Sequence, residues 1–463
     1  MKENFDSDYT IESESNYINN HEHIVDVESP EIKARIEKAK ELFGAYFEKH
    51  QGDFKFKENV DNPDLIDDST MEKILKDAEE MGIYTEAEKM RELIFGKNMS
   101  LYGVEYFSNA CGENCSFCPM GQNTIKLMDN SVRIKEIKQA LEKDQNLEAL
   151  QIEIKKLNAE NEAIKEKITT LTPDAAKDDL DSLSKIGHQT VCLLSGEAIA
   201  RDLKKTVQYA QLAADNPQFK EIVLNMGSFT EEGFRYINEN LKRSPETKLQ
   251  HRVFQETYDR ESYAKALIRG RAEGKQDFDK RYNSQVAALR AGFDDVGIGV
   301  LFGLSDNPLK ELLELQKHVE FIKKNAGKEP KRCALLFANS PEGSDVEIPH
   351  NVGGSKYRKD IMVLVYALAA LATPTVSRVN SERDDSETLK ELDKTSNHTT
   401  LFVHPTPGGN VIALQELQNK SKIKDNLTPQ AAVEPRWPEE AIEDWKKRGY
   451  NILNFNVKKY IKK

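Results

Sequence analysis

Between residues 147 and 171 the apolar positions fall at spacings of three and four. They are Leu147, Leu150, Ile154, Leu157, Ile164, Ile168 and Leu171, with Glu and Lys filling most places between them and Asn161 on the same stripe. This is a heptad seam of about three and a half repeats, stopped by Pro173. It predicts a coiled-coil helix, either lying solvated on its own domain or pairing with a partner or a second copy of the chain. A polar residue on such a seam can fix its register. Upstream, Ile32, Ile36, Leu42 and Phe43 recur near helical spacing, and Asp68-Ser69-Thr70 and Thr85 are helix starts. Residues 31–99 therefore read as a helical extension, and the polar, acidic stretch 1–30 as disordered.

The rest of the chain alternates between two patterns. Short apolar runs at 100–108, 190–194, 221–225, 248–254, 296–302, 333–337, 375–379 and 399–403 read as strands. Helical periodicity fills the intervals: 203–212, 230–241, 263–274, 277–291, 309–325 and 361–371. Strand and helix in alternation predict an α/β fold with a parallel sheet. About eight strands suit a (β/α) TIM-like barrel, whose site forms at the carboxyl ends of the strands. The expected organisation is a barrel start at 100–124, a helical and coiled-coil insert at 125–185, the body of the barrel at 186–415 and a tail at 416–463. Trp437, Trp445, Ile452 and Phe455 give the tail apolar content without placing it.

Charge changes the picture in one respect. The formal net charge of −12 gives no global attraction to nucleic acid or anionic membranes. No apolar run reaches the roughly 18 residues of a membrane span. No leader pattern precedes residue 30, so a cytoplasmic setting is expected. Of the five cysteines, Cys192 and Cys333 stand alone in apolar runs and read as buried thiols, which argues against a disulfide scaffold.

The other three cysteines are Cys111, Cys115 and Cys118, spaced C-x3-C-x2-C with Phe117 before the last. Three such thiolates can hold three corners of a cubane iron–sulfur cluster, leaving one iron free for another ligand, whereas most carriers use four cysteines. The alternative is half of a zinc site. Structural zinc wants four ligands, and no second cysteine pair exists.

The surrounding blocks narrow the reading. Cys111-x3-Cys115-x-Phe117-Cys118 matches the radical-SAM signature. Tyr106-Phe107-Ser108-Asn109-Ala110-Cys111 is similar to the run before the cysteines in the radical-SAM aromatic amino-acid lyases. Phe254-Gln255-Glu256-Thr257-Tyr258 resembles their F/Y-Q-E-T-Y run, and Asp277-Phe278-Asp279-x-Arg281 their D-F-x-x-R. The segment from Ala291 to Leu304 resembles their A-G-I-D-D-V-G-I-G-V-L-F-G-L. That family includes 2-iminoacetate synthase, the tyrosine lyase of thiamine biosynthesis, and the tyrosine-cleaving FeFe-hydrogenase maturase.

The resemblance implies a 4Fe-4S cluster on Cys111, Cys115 and Cys118, with S-adenosyl-L-methionine (SAM) on the open iron. It implies cofactor contacts from Gly196, Glu197, Glu256, Arg281, Gly297 and Gly299. A guanidinium such as Arg281 suits the methionine carboxylate, and the glycines would admit the adenine. Arg383, in Asn380-Ser381-Glu382-Arg383, would anchor an amino-acid carboxylate, and Tyr106 would face the reacting hydrogen. The implied activity is Cα–Cβ cleavage of an aromatic amino acid, tyrosine first, with flavodoxin or ferredoxin as electron donor. Tryptophan or another substrate remains open, as does a non-catalytic iron–sulfur or assembly protein working through the 147–171 arm.

Two departures bear on the substrate. Where the lyases carry a basic P-R-L-R-P run, this chain has Leu336-Phe337-Ala338-Asn339-Ser340-Pro341. After the last strand it has His404-Pro405-Thr406-Pro407-Gly408-Gly409. No cysteine follows Cys333, so the second cluster of the hydrogenase maturase is not expected.

Overall fold

A computed structural model describes residues 23–58, 65–143, 148–267, 269–270, 275–338, 348–352, 355–404, 406–422 and 436–460. Of the stretch 1–30 expected to be disordered, 1–22 lies outside them, as do the start of the seam at Leu147 and the segment 339–347, whereas residues 23–29 are ordered, with the Ile24 amide donating to the Ile94 carbonyl at 2.8 Å.

Eight parallel strands close into a barrel. They are β1 (Asn98–Ser108), β2 (Thr190–Ser195), β3 (Glu221–Asn225), β4 (Lys248–Arg252), β5 (Asp295–Phe302), β6 (Arg332–Phe337), β7 (Ser377–Val379) and β8 (His398–Thr400). Each pairs with the next, and β8 returns to β1 with Tyr102 opposite Thr400. The runs are continuous rather than alternating because both faces are covered: every residue of β5 is buried. Leu193, Ile222, Leu249, Ile298 and Leu335 join the core under the helices. Low in the barrel, Glu221 takes Arg332 at 2.8 Å and Lys331 at 2.7 Å. These two cations outweigh the cost of burial and hold the Glu221 carboxyl far below its usual range. The lower barrel is thus filled, and open space is left at the carboxyl ends.

The helical extension is part of this body. Helices Pro30–His50, Asp68–Glu80 and Ile83–Phe95 cover helix Arg358–Ala372, whose residues from Leu364 to Ala372 are all buried. A helix apolar on every side needs such a second cover. The tail also docks. Helix Pro438–Lys447 buries Trp445, and a ninth strand, β9 (Asn451–Leu453), pairs with β1 at Asn98, Met99 and Ser100.

Two expectations are corrected. The heptad seam, expected either to lie on its own domain or to pair with a partner, packs within the chain and ends early. Helix Glu148–Lys165 folds back against helix Pro119–Lys143 as an antiparallel hairpin. Asn130 Nδ2 donates to Asn161 Oδ1 at 2.9 Å in its interior, and Arg133 with Glu153 (2.9 Å) and Lys126 with Glu160 (2.6 Å) flank it. The helix stops at Lys165 rather than running to 171, because the chain must return to the barrel: Thr170 bridges Ser108, and the Leu171 amide donates to the Phe107 carbonyl. The helix expected over 263–274 is Arg260–Ala266. It is followed by Arg269–Gly270, which pairs antiparallel with Glu113–Asn114 of the cysteine loop.

Candidate active site

The cysteine loop leaves the end of β1 and is pinned on both sides. Gly196 N donates to Ser108 O at 2.9 Å, Ala110 N to Ser108 Oγ at 3.1 Å, and Asn109 Nδ2 to Lys167 O at 2.8 Å. The Cys118 amide turns back to the Cys115 carbonyl at 3.2 Å, and a helix begins at once with Pro119. Cys111 and Cys115 are buried and Cys118 half-buried. All three face one cavity of about 200 Å³ at the carboxyl end of the barrel.

Opposite the thiols lies a buried ionic group. Arg281, on helix Phe278–Arg290, directs Nη2 to Glu256 Oε1 at 3.2 Å, places Nη1 3.9 Å from Glu197 Oε1, and donates through Nε to the Phe254 carbonyl. Lys275 Nζ reaches the same Glu256 oxygen at 3.0 Å. Burial works against a charge on Lys275, but Cys115 and Glu256 outweigh it and hold the ammonium protonated. Glu256 has φ +71°, a left-handed conformation that a side chain rarely adopts. The next turn holds it there: Glu311 accepts from Thr257 Oγ1, from Tyr258 N at 2.8 Å and from Ser305 Oγ at 2.6 Å. Strain at a buried charged residue in a cavity is a feature of functional sites.

The sequence-derived residues separate into two sets. Cys111, Cys115, Cys118, Gly196, Glu197, Glu256, Arg281 and Arg383 line the cavity together. Gly196 abuts the loop: a Cβ there would collide with the Ala110 carbonyl and stand 2.9 Å from Cys111 Cβ. Tyr106, Gly297 and Gly299 are not in the lining. The Tyr106 hydroxyl is buried near Cys118 and Cys111 without a hydrogen-bond partner among the described residues. The space above Gly297 is taken by Arg252 and that above Gly299 by Phe254, so neither glycine is open for an adenine to approach. Three charged cavity residues escaped the sequence reading: Lys275, Arg252, and Glu113, which pairs with Arg201 at 3.2 Å. Lys275 stands two residues before the D-F-x-x-R block and Arg252 two before F-Q-E-T-Y. That adjacency was the only signal, since an isolated basic residue usually marks a surface.

These residues fit a 4Fe-4S cluster with bound SAM. Among the described residues no three Cys, His, Asp or Glu side chains gather tightly enough for a single metal ion. The thiols instead stand along one end of a cavity. Burial raises all three, Cys111 to about 11, so thiolates there need a bound cationic core. Arg281 Nη1 is buried without a hydrogen-bond partner among the described residues, and the Glu197 and Glu256 carboxylates stand ready for an amine.

A parallel eight-stranded barrel with a C-x3-C-x2-C loop at its carboxyl mouth has the architecture of the radical-SAM barrels. Within that class the chain resembles the aromatic amino-acid lyases. Two 2-iminoacetate synthases are similar to it: that of Salmonella typhimurium at 24% identity over 241 residues, covering 52% of this chain and 50% of the relative, and that of Escherichia coli at 26%, covering 50% of each. The chain thus spans about half the length of the curated relatives it matches. Among solved structures, the FeFe-hydrogenase maturase HydG from Carboxydothermus hydrogenoformans superposes with a TM-score of 0.62 at 19% identity, over 91% of this chain and 85% of that one. Methylornithine synthase (PylB) superposes with a TM-score of 0.55 at 17% identity, over 89% and 97%. No family model matches the chain. No helix among the described residues is long and apolar enough to cross a membrane.

Proposed function

We propose that the protein is a radical-SAM carbon–carbon lyase that cleaves the Cα–Cβ bond of an aromatic amino acid, tyrosine first. The observation that carries this reading is the convergence of three buried thiols with Glu197, Glu256 and Arg281 on one cavity at the strand ends. When bound and reduced by one electron from a flavodoxin or ferredoxin, the cluster with SAM supplies a 5′-deoxyadenosyl radical. The chain's own part is to bind, orient and shield. Cys111, Cys115 and Cys118 would hold the cluster. Glu256 and Glu197 would accept from the methionine amine, and Arg281 Nη1, which lacks a hydrogen-bond partner among the described residues, would take its carboxylate. Leu301, Leu336 and Phe254 give the cavity apolar walls that limit the entry of water. Arg383 orients the substrate.

Anaerobic reconstitution with iron, sulfide, dithionite, SAM and tyrosine tests it. The expected products are 5′-deoxyadenosine and p-cresol. Nucleoside without cresol removes tyrosine and keeps the class, in which case tryptophan is the next substrate to try. No nucleoside from a cluster-loaded sample removes the enzymatic reading and leaves a non-catalytic iron–sulfur protein.

A further inference from the structure

We propose that Arg252 binds the carboxylate of the substrate. Arg252 ends β4 and turns into the barrel, where it lines the cavity on the side of Tyr102 and Cys192. Its guanidinium carbon lies 4.9 Å from the Tyr102 ring centroid. Gly297 makes room for its stem, since a Cβ there would stand 2.8 Å from Arg252 Cγ. The residue is 1% exposed, yet Nε and Nη2 have no hydrogen-bond partner among the described residues. These two nitrogens share one edge of the planar fork, the edge that grips a carboxylate through two parallel hydrogen bonds.

The described protein supplies no anion to that edge. The acidic side chains of the cavity lining are engaged elsewhere: Glu113 on Arg201, Glu197 and Glu256 on Arg281 and Lys275, and Glu382 on Arg436. A buried guanidinium without a counter-anion is costly, so its retention beside open space points to a ligand. This rests on the cavity being the substrate chamber, and not on the substrate being tyrosine.

The test compares acids with their decarboxylated amines: tyrosine and tyramine, tryptophan and tryptamine, phenylalanine and phenethylamine. Binding to the cluster-loaded full chain with SAM is measured anaerobically by equilibrium dialysis. The wild type should bind at least one acid roughly 10- to 100-fold more tightly than its amine. Arg252→Met should bring that acid down to the affinity of the amine, with iron content unchanged. Arg252→Lys, which keeps the charge and loses the fork, should fall between them. Should the Met variant fail to load iron, the Lys variant carries the test, and an acid affinity equal to wild type overturns the proposal. So does an iron-loaded Met variant that keeps the preference, or a wild type with none in any pair. A preference seen for another pair but not for tyrosine, and lost with Arg252, upholds the proposal while removing tyrosine.

Discussion

Lys275 Nζ stands 3.0 Å from Glu256 Oε1, and Arg281 reaches the same carboxylate at 3.2 Å, so two cations share one buried acid. Glu256→Gln leaves both cations facing each other. Unfolding by urea should show a loss of about 3–5 kcal/mol, the scale for breaking a buried pair. Glu256→Gly relieves the positive φ but not the charge, so it too should be less stable than wild type. Equal stability of all three proteins would show that the carboxylate does not hold the group together.

Cys115→Ala should lower bound iron and abolish 5′-deoxyadenosine release, because the loop then offers two thiols where three are needed. The visible absorbance of the reconstituted protein and nucleoside chromatography check this. Full nucleoside yield from the variant contradicts the cluster assignment.

Gly196→Ala probes the loop without touching a ligand. Its methyl group would occupy the space of the Ala110 carbonyl, so the loop must shift and iron retention should drop several-fold. The barrel should still melt cooperatively. Unchanged iron per chain would mean that the loop yields easily.

In the hairpin, Asn161→Leu strands the buried Asn130 amide. The expected cost is about 1–3 kcal/mol. Adding Asn130→Leu should recover most of it, since both polar partners are then removed. A double-mutant cycle by chemical denaturation measures the coupling, and additive losses would rule out a direct pairing.

Three buried histidines set an acid limit. Burial first of all lowers His188 to about 4, and His251 and His318 to about 3. Their folded values lie below the unfolded value of about 6.5. Their contribution to stability is therefore complete above that pH and is lost as pH falls towards 4 and 3. Each adds a slope of about 1.4 kcal/mol per pH unit within that window. His318→Gln should reduce the slope by one proton, measurable as the pH dependence of urea unfolding between about pH 6 and 4.

The barrel was legible because its strands are buried on both faces and therefore read as uninterrupted apolar runs. The cysteines were legible because their spacing is short and local. Arg252 and Lys275 were not. Each is one charged residue in a mixed context, and only the closed barrel turns it inward. The seam at 147–171 was seen but its partner was not. The facing helix Pro119–Lys143 carries Gly121, Asn123 and Asn130 among its apolar positions and shows no clean heptad. The tail was opaque for a related reason: Trp445 and β9 complete surfaces built by residues more than 300 positions away, such as Met99.

The pinning of the Ser108–Ala110 segment by Gly196 and Lys167 has a consequence for how the protein is charged with iron. Backbone that is already anchored before metal arrives has little disorder left to surrender on filling. Assembly at Cys111, Cys115 and Cys118 therefore resembles seating a part in a finished socket, and the folded polypeptide should outlast the loss of its inorganic content.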